Sequence, residues 1–346
     1  MTPKNFPYFQ TASTLLGAFF LLFSLSCKEK LSTSDWQQQN TTLAATQEAR
    51  PKNPTKTKLS DKEPASHQTP SHPNKPVRFL AYNLKNYLTM PRYINKQRTN
   101  TPKPEAEISA LIETIQAAQP DIIGICEIGT PEDLTDLQNR LKKIGIKLPH
   151  KHQMLGFDSI RTLAILSKFP IVSTNKVTKI DYQVGGAPFQ MSRGILDTTI
   201  QLPNKQVRCI GIHFKSKRPI PQADQELMRR AEAGLLRTHV DQILNESPNT
   251  NLLVYGDFND TKRTPTLRTS MGRLNSKTGL VVLNPKDSRG DLWTHHWKRE
   301  NIYSRIDFVM VSKNLNPYID KTNTQILDPE NWETASDHRA ILVPIQ

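Results

Sequence analysis

The chain is predicted to be an α/β protein in which two sheets pack face to face with helices outside them. Eight short apolar runs supply the strands, three longer segments at helical spacing supply the helices, and the two kinds do not alternate strictly. The runs are VRFLAYN (77–83), DIIGICE (121–127), TLAILSK (162–168), GILDTTIQL (194–202), VRCIGIH (207–213), NLLVYGD (251–257), RIDFVMVS (305–312) and AILVPI (340–345). Their length and their Val and Ile content favour strands over helices. The helical segments are 104–118, with Ala, Ile and Leu at helical spacing; 132–144; and 222–246, where Leu227, Ala231, Leu235 and Val240 mark the expected apolar face. No internal repeat or second linker interrupts 77–346, so one domain of about 270 residues is expected there.

The 346 residues suffice for a sizeable core. Lys and Arg number 46 against 32 Asp and Glu, a net charge of +14, which favours an acidic partner such as nucleic acid, anionic lipid or a phosphorylated metabolite. Residues 77–346 hold 37 basic and 27 acidic residues, so the surplus belongs to the folded part. Three cysteines cannot make a disulfide scaffold, and the absence of CxxC and HExxH removes the zinc-ribbon and zincin readings. Beyond residue 27 no apolar run reaches the ~18 residues that span a bilayer, which excludes a multispanning membrane protein.

Residues 1–27 combine Lys4 with an apolar stretch ending at Cys27, the proportions of an export signal. Residues 28–76 carry few large apolar side chains, and 51–76 contain six prolines. Such a segment cannot bury enough surface to offset its ordering entropy and reads as a disordered linker. Cys27 stands where a bacterial lipoprotein signal places its lipidated cysteine, although Ser24 occupies a position that usually carries Leu. A lipoprotein, a cleaved secretion signal and an uncleaved anchor all place the folded part in the cell envelope or outside it.

The strands end in groups that bind metals or move protons. Asn83 closes the first run, Glu127 the second and His213 the fifth; Asp257 and Asn259 lie in GDFND, Asp307 in RID, and Asp337 and His338 in SDH. A carboxylate ending an apolar strand is costly to bury unless something positive meets it. Oxygen ligands without clustered thiolates suit Mg²⁺, Mn²⁺ or Ca²⁺ better than zinc. Period-two geometry places Glu127 on the side of Ile125, with Cys126 and Gly124 facing the other way. The same parity sets Cys209 on the side of His213, roughly 13 Å below it. Both cysteines are expected as buried free thiols, with a bridge between them left open.

The ordered series YN, ICE, IHFKSK, GDFND, RIDF and SDHRAIL resembles the endonuclease/exonuclease/phosphatase superfamily over roughly residues 77–346. The resemblance implies a deoxyribonuclease I-like four-layer sandwich, two facing mixed β-sheets flanked by helices, in a metal-dependent phosphodiester hydrolase. It assigns Glu127 as the principal metal ligand, with Asn83 and Asp337 near the ion or its waters. Asp257 and Asn259 would orient the attacking water and steady the phosphoryl oxygens. Asp307 would bond His338, and His213 would be the second site histidine. Asp257, His338 and a metal-bound hydroxide all remain candidates for taking the water's proton. On DNA the implied products are a 5′-phosphate and a 3′-hydroxyl.

Departures from the pattern bear on substrate. Lys85 stands where abasic-site repair enzymes tend to carry an aspartate, and Ile128 and Gly129 leave no basic residue directly after Glu127. Arg193 in MSRGIL matches a phosphate-contacting arginine, with a surface ion pair as the alternative. HFKSKR sets Lys215 and Lys217 on the side of His213 if that strand continues, extending a positive track toward the next phosphate. The leading expectation is a monomeric nuclease acting on DNA, or RNA, with little sequence specificity and with Mg²⁺ as cofactor. The alternatives are a sphingomyelinase-like phospholipid phosphodiesterase, an inositol or sugar phosphatase, and an inactive binding module. Trp293 and Trp297 are expected to pack into the fold, and no contiguous exposed apolar hairpin is expected.

Overall fold

The computed structural model describes residues 75–346 except 95 and 159. The expected export signal (1–27), its Cys27 and nearly all of the expected linker (28–76) lie outside the described residues.

Strand β1 (Val77–Tyr87) leads through a hairpin, β2 (Met90–Ile94) and β3 (Gln97–Thr101), into helix α1 (Glu105–Ala118) and strand β4 (Ile122–Ile128). Helix α2 (Pro131–Lys143) begins at once because TPED builds its own start. Thr130 Oγ1 accepts from Asp133 N, Asp133 accepts from Thr130 N, and Pro131 fills the first helical position. Then come β5 (His150–Met154), β6 (Thr162–Ser167), β7 (Ile171–Thr174), the hairpin β8 (Asp181–Val184) and β9 (Ala187–Gln190), β10 (Leu196–Gln201) and β11 (Gln206–His213). Helix α3 (Gln225–Glu246) is capped by Asp224, whose carboxylate accepts from the amides of Glu226 and Leu227. Strand β12 (Leu252–Asp257), helix α4 (Pro265–Met271), strand β13 (Val281–Val282), the hairpin β14 (His295–Trp297) and β15 (Ile302–Ser304), and β16 (Asp307–Val311) follow. The chain closes with β17 (Gln325–Ile326), helix α5 (Trp332–Ala335) and β18 (Ile341–Ile345). All eight expected strands and all three expected helices are present.

The strands form two six-stranded mixed sheets, ordered β17-β18-β1-β4-β6-β5 and β13-β16-β12-β11-β10-β7. At the centre of each lies a parallel pair, β1 with β4 and β11 with β12, joined by a crossover that carries α1 or α3. Alternate side chains of both sheets meet in a shared core that includes Phe79, Cys126, Cys209, Leu253, Tyr255 and Val309. The opposite faces pack on helices: Leu80, Ile123 and Ile125 beneath α1 and α2, and Ile210, Ile212 and Val254 beneath α3. The result is the expected four-layer sandwich. Tyr255 spans the two sheets. Its ring occupies the space that side chains at Gly124 and Gly211 would need, and its hydroxyl donates to the Ala164 carbonyl at 3.3 Å.

Helix α3 keeps part of its expected apolar face, with Val240 buried and Leu235 packed on the core, but is rotated from it at its start. Leu227 is 46% exposed, and the buried stripe is Met228, Ala233, Leu236, Val240 and Ile243 with Leu244. Arg229 and Glu232 share that buried side, and their charge hid the stripe in a hydrophobicity pattern. Both thiols are buried and free, as expected.

Candidate active site

The C-terminal ends of the four central parallel strands converge at one edge of the sandwich, the place where open α/β sheets bind ligands. Asn83 comes from β1, Glu127 from β4, His213 from β11 and Asp257 from β12. The antiparallel partners complete the set. Asp307 opens β16 directly opposite Asp257, and His338 lies just before β18. In register, His213 is paired with Asp257, so Asp257 stands between His213 and Asp307 on one sheet face.

Glu127 reaches the site by breaking the alternation expected of it. Pairing with β6 slips between Cys126 and Ile128, and Glu127 sits in the bulge with φ +64°. Ile125 and Ile128 therefore face α1 and α2, Cys126 faces the sheet interface, and the Glu127 carboxylate turns to the site. Glu127 does not share the side of Ile125, because a bulge inserts one residue and re-aims the side chain. One carboxylate oxygen accepts from Asn86 N at 2.9 Å, and the other lies 3.8 Å from His213 Nε2.

From there the groups form a ladder. His213 Nε2 is 3.5 Å from Asp257 Oδ2, His338 Nε2 is 3.8 Å from the same oxygen, and Asp337 Oδ1 is 4.0 Å from His338 Nε2. Asn83 Nδ2 donates to Asp257 Oδ2 at 3.2 Å and lies 3.4 Å from His338 Nε2. Asn259, in left-handed backbone at φ +50°, donates its amide to Asp257 Oδ1 at 2.8 Å and its Nδ2 to Asp257 Oδ2 at 3.3 Å. The glycine of GDFND is required by space, since a Cβ on Gly256, at φ +139°, would collide with the Ile212 carbonyl.

The two histidines are tuned in opposite directions. Burial works against charge on His338, but the Asp307 carboxylate, bonded to Nδ1 at 2.8 Å, together with Asp257 and Asp337, raises its pKa well above the ordinary value. His213 is held well below, first by burial and then by Arg193, His338 and Arg161. Asp257 is pushed up to about 7 by burial and by the Asp307 charge.

Residues 80–338 match the Endonuclease/Exonuclease/phosphatase family. The chain belongs to that family. No curated protein sequence matches it. Among solved structures, beta toxin from Staphylococcus aureus is similar at 17% identity and a TM-score of 0.55, covering 78% of this chain and 100% of that one. An endonuclease/exonuclease/phosphatase from Bacteroides vulgatus aligns at 16% and 0.54, covering 79% and 99%. The human Nocturnin catalytic domain aligns at 16% and 0.54, covering 78% and 94%.

As a member of the endonuclease/exonuclease/phosphatase family the chain is a metal-dependent phosphodiester hydrolase. The donor set fits a divalent cation. Ligand atoms of Asp257, Asp307 and His338 lie within 4.8 Å of one another, but His338, kept charged by Asp307, has no lone pair to give, so the open donors are carboxylate oxygens. One Glu127 oxygen has no hydrogen-bond donor among the described residues. Glu127 and Asp337, two of the three expected metal ligands, stand outside the tight group, and the third, Asn83, spends its carboxamide on Asp257 and on Lys85 N.

The basic residues differ from expectation. Strand β11 stops at His213, so alternation does not carry Lys215 and Lys217 onto its face. Lys215 Nζ folds back to the carbonyls of Ser216 and Arg218, and Lys217 is exposed. Arg193 pairs with Asp158 at 3.3 Å, and its charge still reaches His213. The cation missing after Glu127 comes instead from the turn before β6: Arg161 Nε donates to Asn86 Oδ1 at 2.7 Å. No local motif announces it.

Two further residues escaped the sequence reading. Thr294, fully buried, accepts the amides of Ile306 and Asp307 on Oγ1, each at 3.1 Å, while its carbonyl accepts from Arg339 N. It thereby ties both ends of the Asp307–His338 pair. His295 packs its ring 4.7 Å from that of His338 and is lowered to about 4, by burial and then by the His338 charge. Trp293 packs as expected, 3.3 Å from the buried Arg339 guanidinium. Trp297 does not: with Ile302 and Tyr303 it leaves the β14–β15 hairpin with three side chains about half exposed. Sequence position cannot show that Trp297 and Ile302 are cross-strand partners.

Proposed function

We propose that the chain is an exported nuclease that hydrolyses DNA, with RNA as a second substrate, with little base specificity and with Mg²⁺ as its ion. The observation that carries this reading is the positive field at the phosphate site. His213 is pushed below its ordinary range first by burial and then by the charges of Arg193, His338 and Arg161, and Lys215 is lowered by burial and then by Arg193. Clustered cations confer sequence-independent affinity for a phosphodiester strand.

The catalytic roles follow from the split in pKa. Asp257, near 7 and fixed by both nitrogens of Asn259, can take a proton from an attacking water at neutral pH. His338, kept charged by Asp307, would donate to the phosphoryl oxygens as their charge develops, while neutral His213 offers a hydrogen bond beside Asp257. Glu127, with Asn83 and Asp337, would hold the ion, which when bound would polarise the phosphoryl group. The products would be a 5′-phosphate and a 3′-hydroxyl. Residues 1–27 would direct export, Cys27 would carry a lipid, 28–76 would tether a monomeric catalytic domain, and mass spectrometry of the mature N-terminus tests the lipid.

A phospholipid phosphodiesterase is the second reading, favoured by the exposed Trp297, Ile302 and Tyr303 hairpin beside the site. One panel separates the two: plasmid, single-stranded DNA, RNA, sphingomyelin and a soluble inositol phosphate, each with Mg²⁺, Mn²⁺, Ca²⁺ or EDTA. Metal-dependent nicking abolished in His213→Ala supports the nuclease. Choline-phosphate release with intact plasmid assigns the lipid enzyme.

A further inference from the structure

Asn86 collects an unusual set of neighbours. Its amide donates to Glu127 at 2.9 Å, its side-chain oxygen accepts from Arg161 Nε at 2.7 Å, and its carbonyl accepts from Arg92 Nη2 at 2.9 Å. Arg92 also donates to the carbonyls of Leu88 at 3.1 Å and Pro102 at 3.2 Å. Every acceptor that fastens these two guanidinium groups is neutral, and among the described residues neither forms a carboxylate pair. The acid whose charge Arg92 feels is Glu107, and Glu107 is already paired with Lys103 at 3.0 Å.

Both arginines are half-buried, where like charges are poorly screened. Bringing them together costs free energy that a carboxylate partner would remove, and none is supplied. The backbone is also strained, since Lys85 and Asn86 are consecutive left-handed residues at φ +48° and +59°. Strain and uncompensated charge coincide beside Glu127, whose free oxygen lies 3.8 Å from His213, and the Arg161 charge is felt at His213.

We infer that Arg92 and Arg161, both fastened to Asn86, form a subsite for a backbone phosphate next to the one being cleaved. The inference rests on the nuclease reading and sharpens it, because a flanking phosphate exists only in a strand. Planar guanidinium forks suit phosphate oxygens, and neutral anchors leave the full positive charge for them. The simpler account is that both arginines only staple the β2–β3 hairpin and the β5–β6 turn to β1.

The test compares plasmid DNA with bis(p-nitrophenyl) phosphate, a diester with a single phosphate, in the full chain carrying Arg92→Gln, Arg161→Gln or both. The double variant should lower kcat/KM on DNA by about tenfold near 0.1 M salt and flatten the log–log salt slope by about 1. The ratio of DNA to small-diester activity should fall at least fivefold, and Arg161→Lys should recover part of the slope. Equal losses on both substrates, as misfolding would give, or an unchanged slope reduce the arginines to staples and overturn the inference. Wild-type protein that cleaves the small diester but not DNA refutes the nuclease reading itself, before any variant is compared.

Discussion

Replacing Thr294 with Val exchanges one hydroxyl for one methyl at a fully buried position, with little change in volume. The lost oxygen is the acceptor of two backbone amides, those of Ile306 and Asp307, each at 3.1 Å. Neither can reach water, and each stranded amide costs about 1–3 kcal/mol, so the substitution should cost roughly 2–6 kcal/mol and lower Tm by roughly 5–20 °C. The effect on activity should exceed the effect on folding at assay temperature. Asp307 orients His338 through a 2.8 Å bond, and a shift of its backbone moves the imidazole relative to Asp257. Thermal unfolding and phosphodiesterase kinetics on Thr294→Val and Thr294→Ser check both halves, with Ser expected near wild type. A Val variant that melts within 1 °C of wild type and keeps its kcat would refute the clamp.

Gly256→Ala should be destabilised by several kcal/mol, because the strained φ and the collision with the Ile212 carbonyl act together; chemical denaturation measures it. Glu127→Gln should keep the fold yet lose most metal-dependent turnover, read by circular dichroism beside an Mg²⁺ titration. Without metal, Tm should fall from pH 6.5 to 8, since Asp257 and Glu232, both raised to about 7 mainly by burial, bind protons in the folded state that the unfolded chain has released. His213, whose folded pKa is depressed, loses stability only below 6.5 and leaves that window untouched. Mg²⁺ should therefore raise Tm more at pH 8 than at pH 6.5. Leu227→Glu should change stability by less than about 0.5 kcal/mol, whereas Leu236→Ala, on the buried stripe, should cost about 2–5 kcal/mol.

The strands were legible because each is a continuous apolar run, and the ladder was legible because its members sit at the ends of those runs. His213, Asp257, Asp307 and Asn83 also obey simple alternation, so their common face follows from the sequence once the sheets are known. Glu127 does not, because its orientation depends on a left-handed backbone angle that no residue type at position 127 announces. Helix α3 misled for a different reason: Arg229 and Glu232 are buried because they hold the loop after His213, with Glu232 accepting from Lys215 N at 2.6 Å. Arg161 and Thr294 act across 75 and 13 residues of chain, and contacts of that kind emerge only when the fold closes.

Tyr255 lies two positions before Asp257, wedged between Gly124 of one sheet and Gly211 of its own, with its hydroxyl tied across to Ala164. Such a rivet sets the gap between the two slabs immediately under the reacting groups. The width of the catalytic mouth is thereby governed from below, by the thickness of one aromatic ring, while the rim loops remain free to vary. New substrates can be courted by rewriting the rim, whereas a smaller residue in place of the ring would let the slabs slide and spoil the chemistry for every substrate at once.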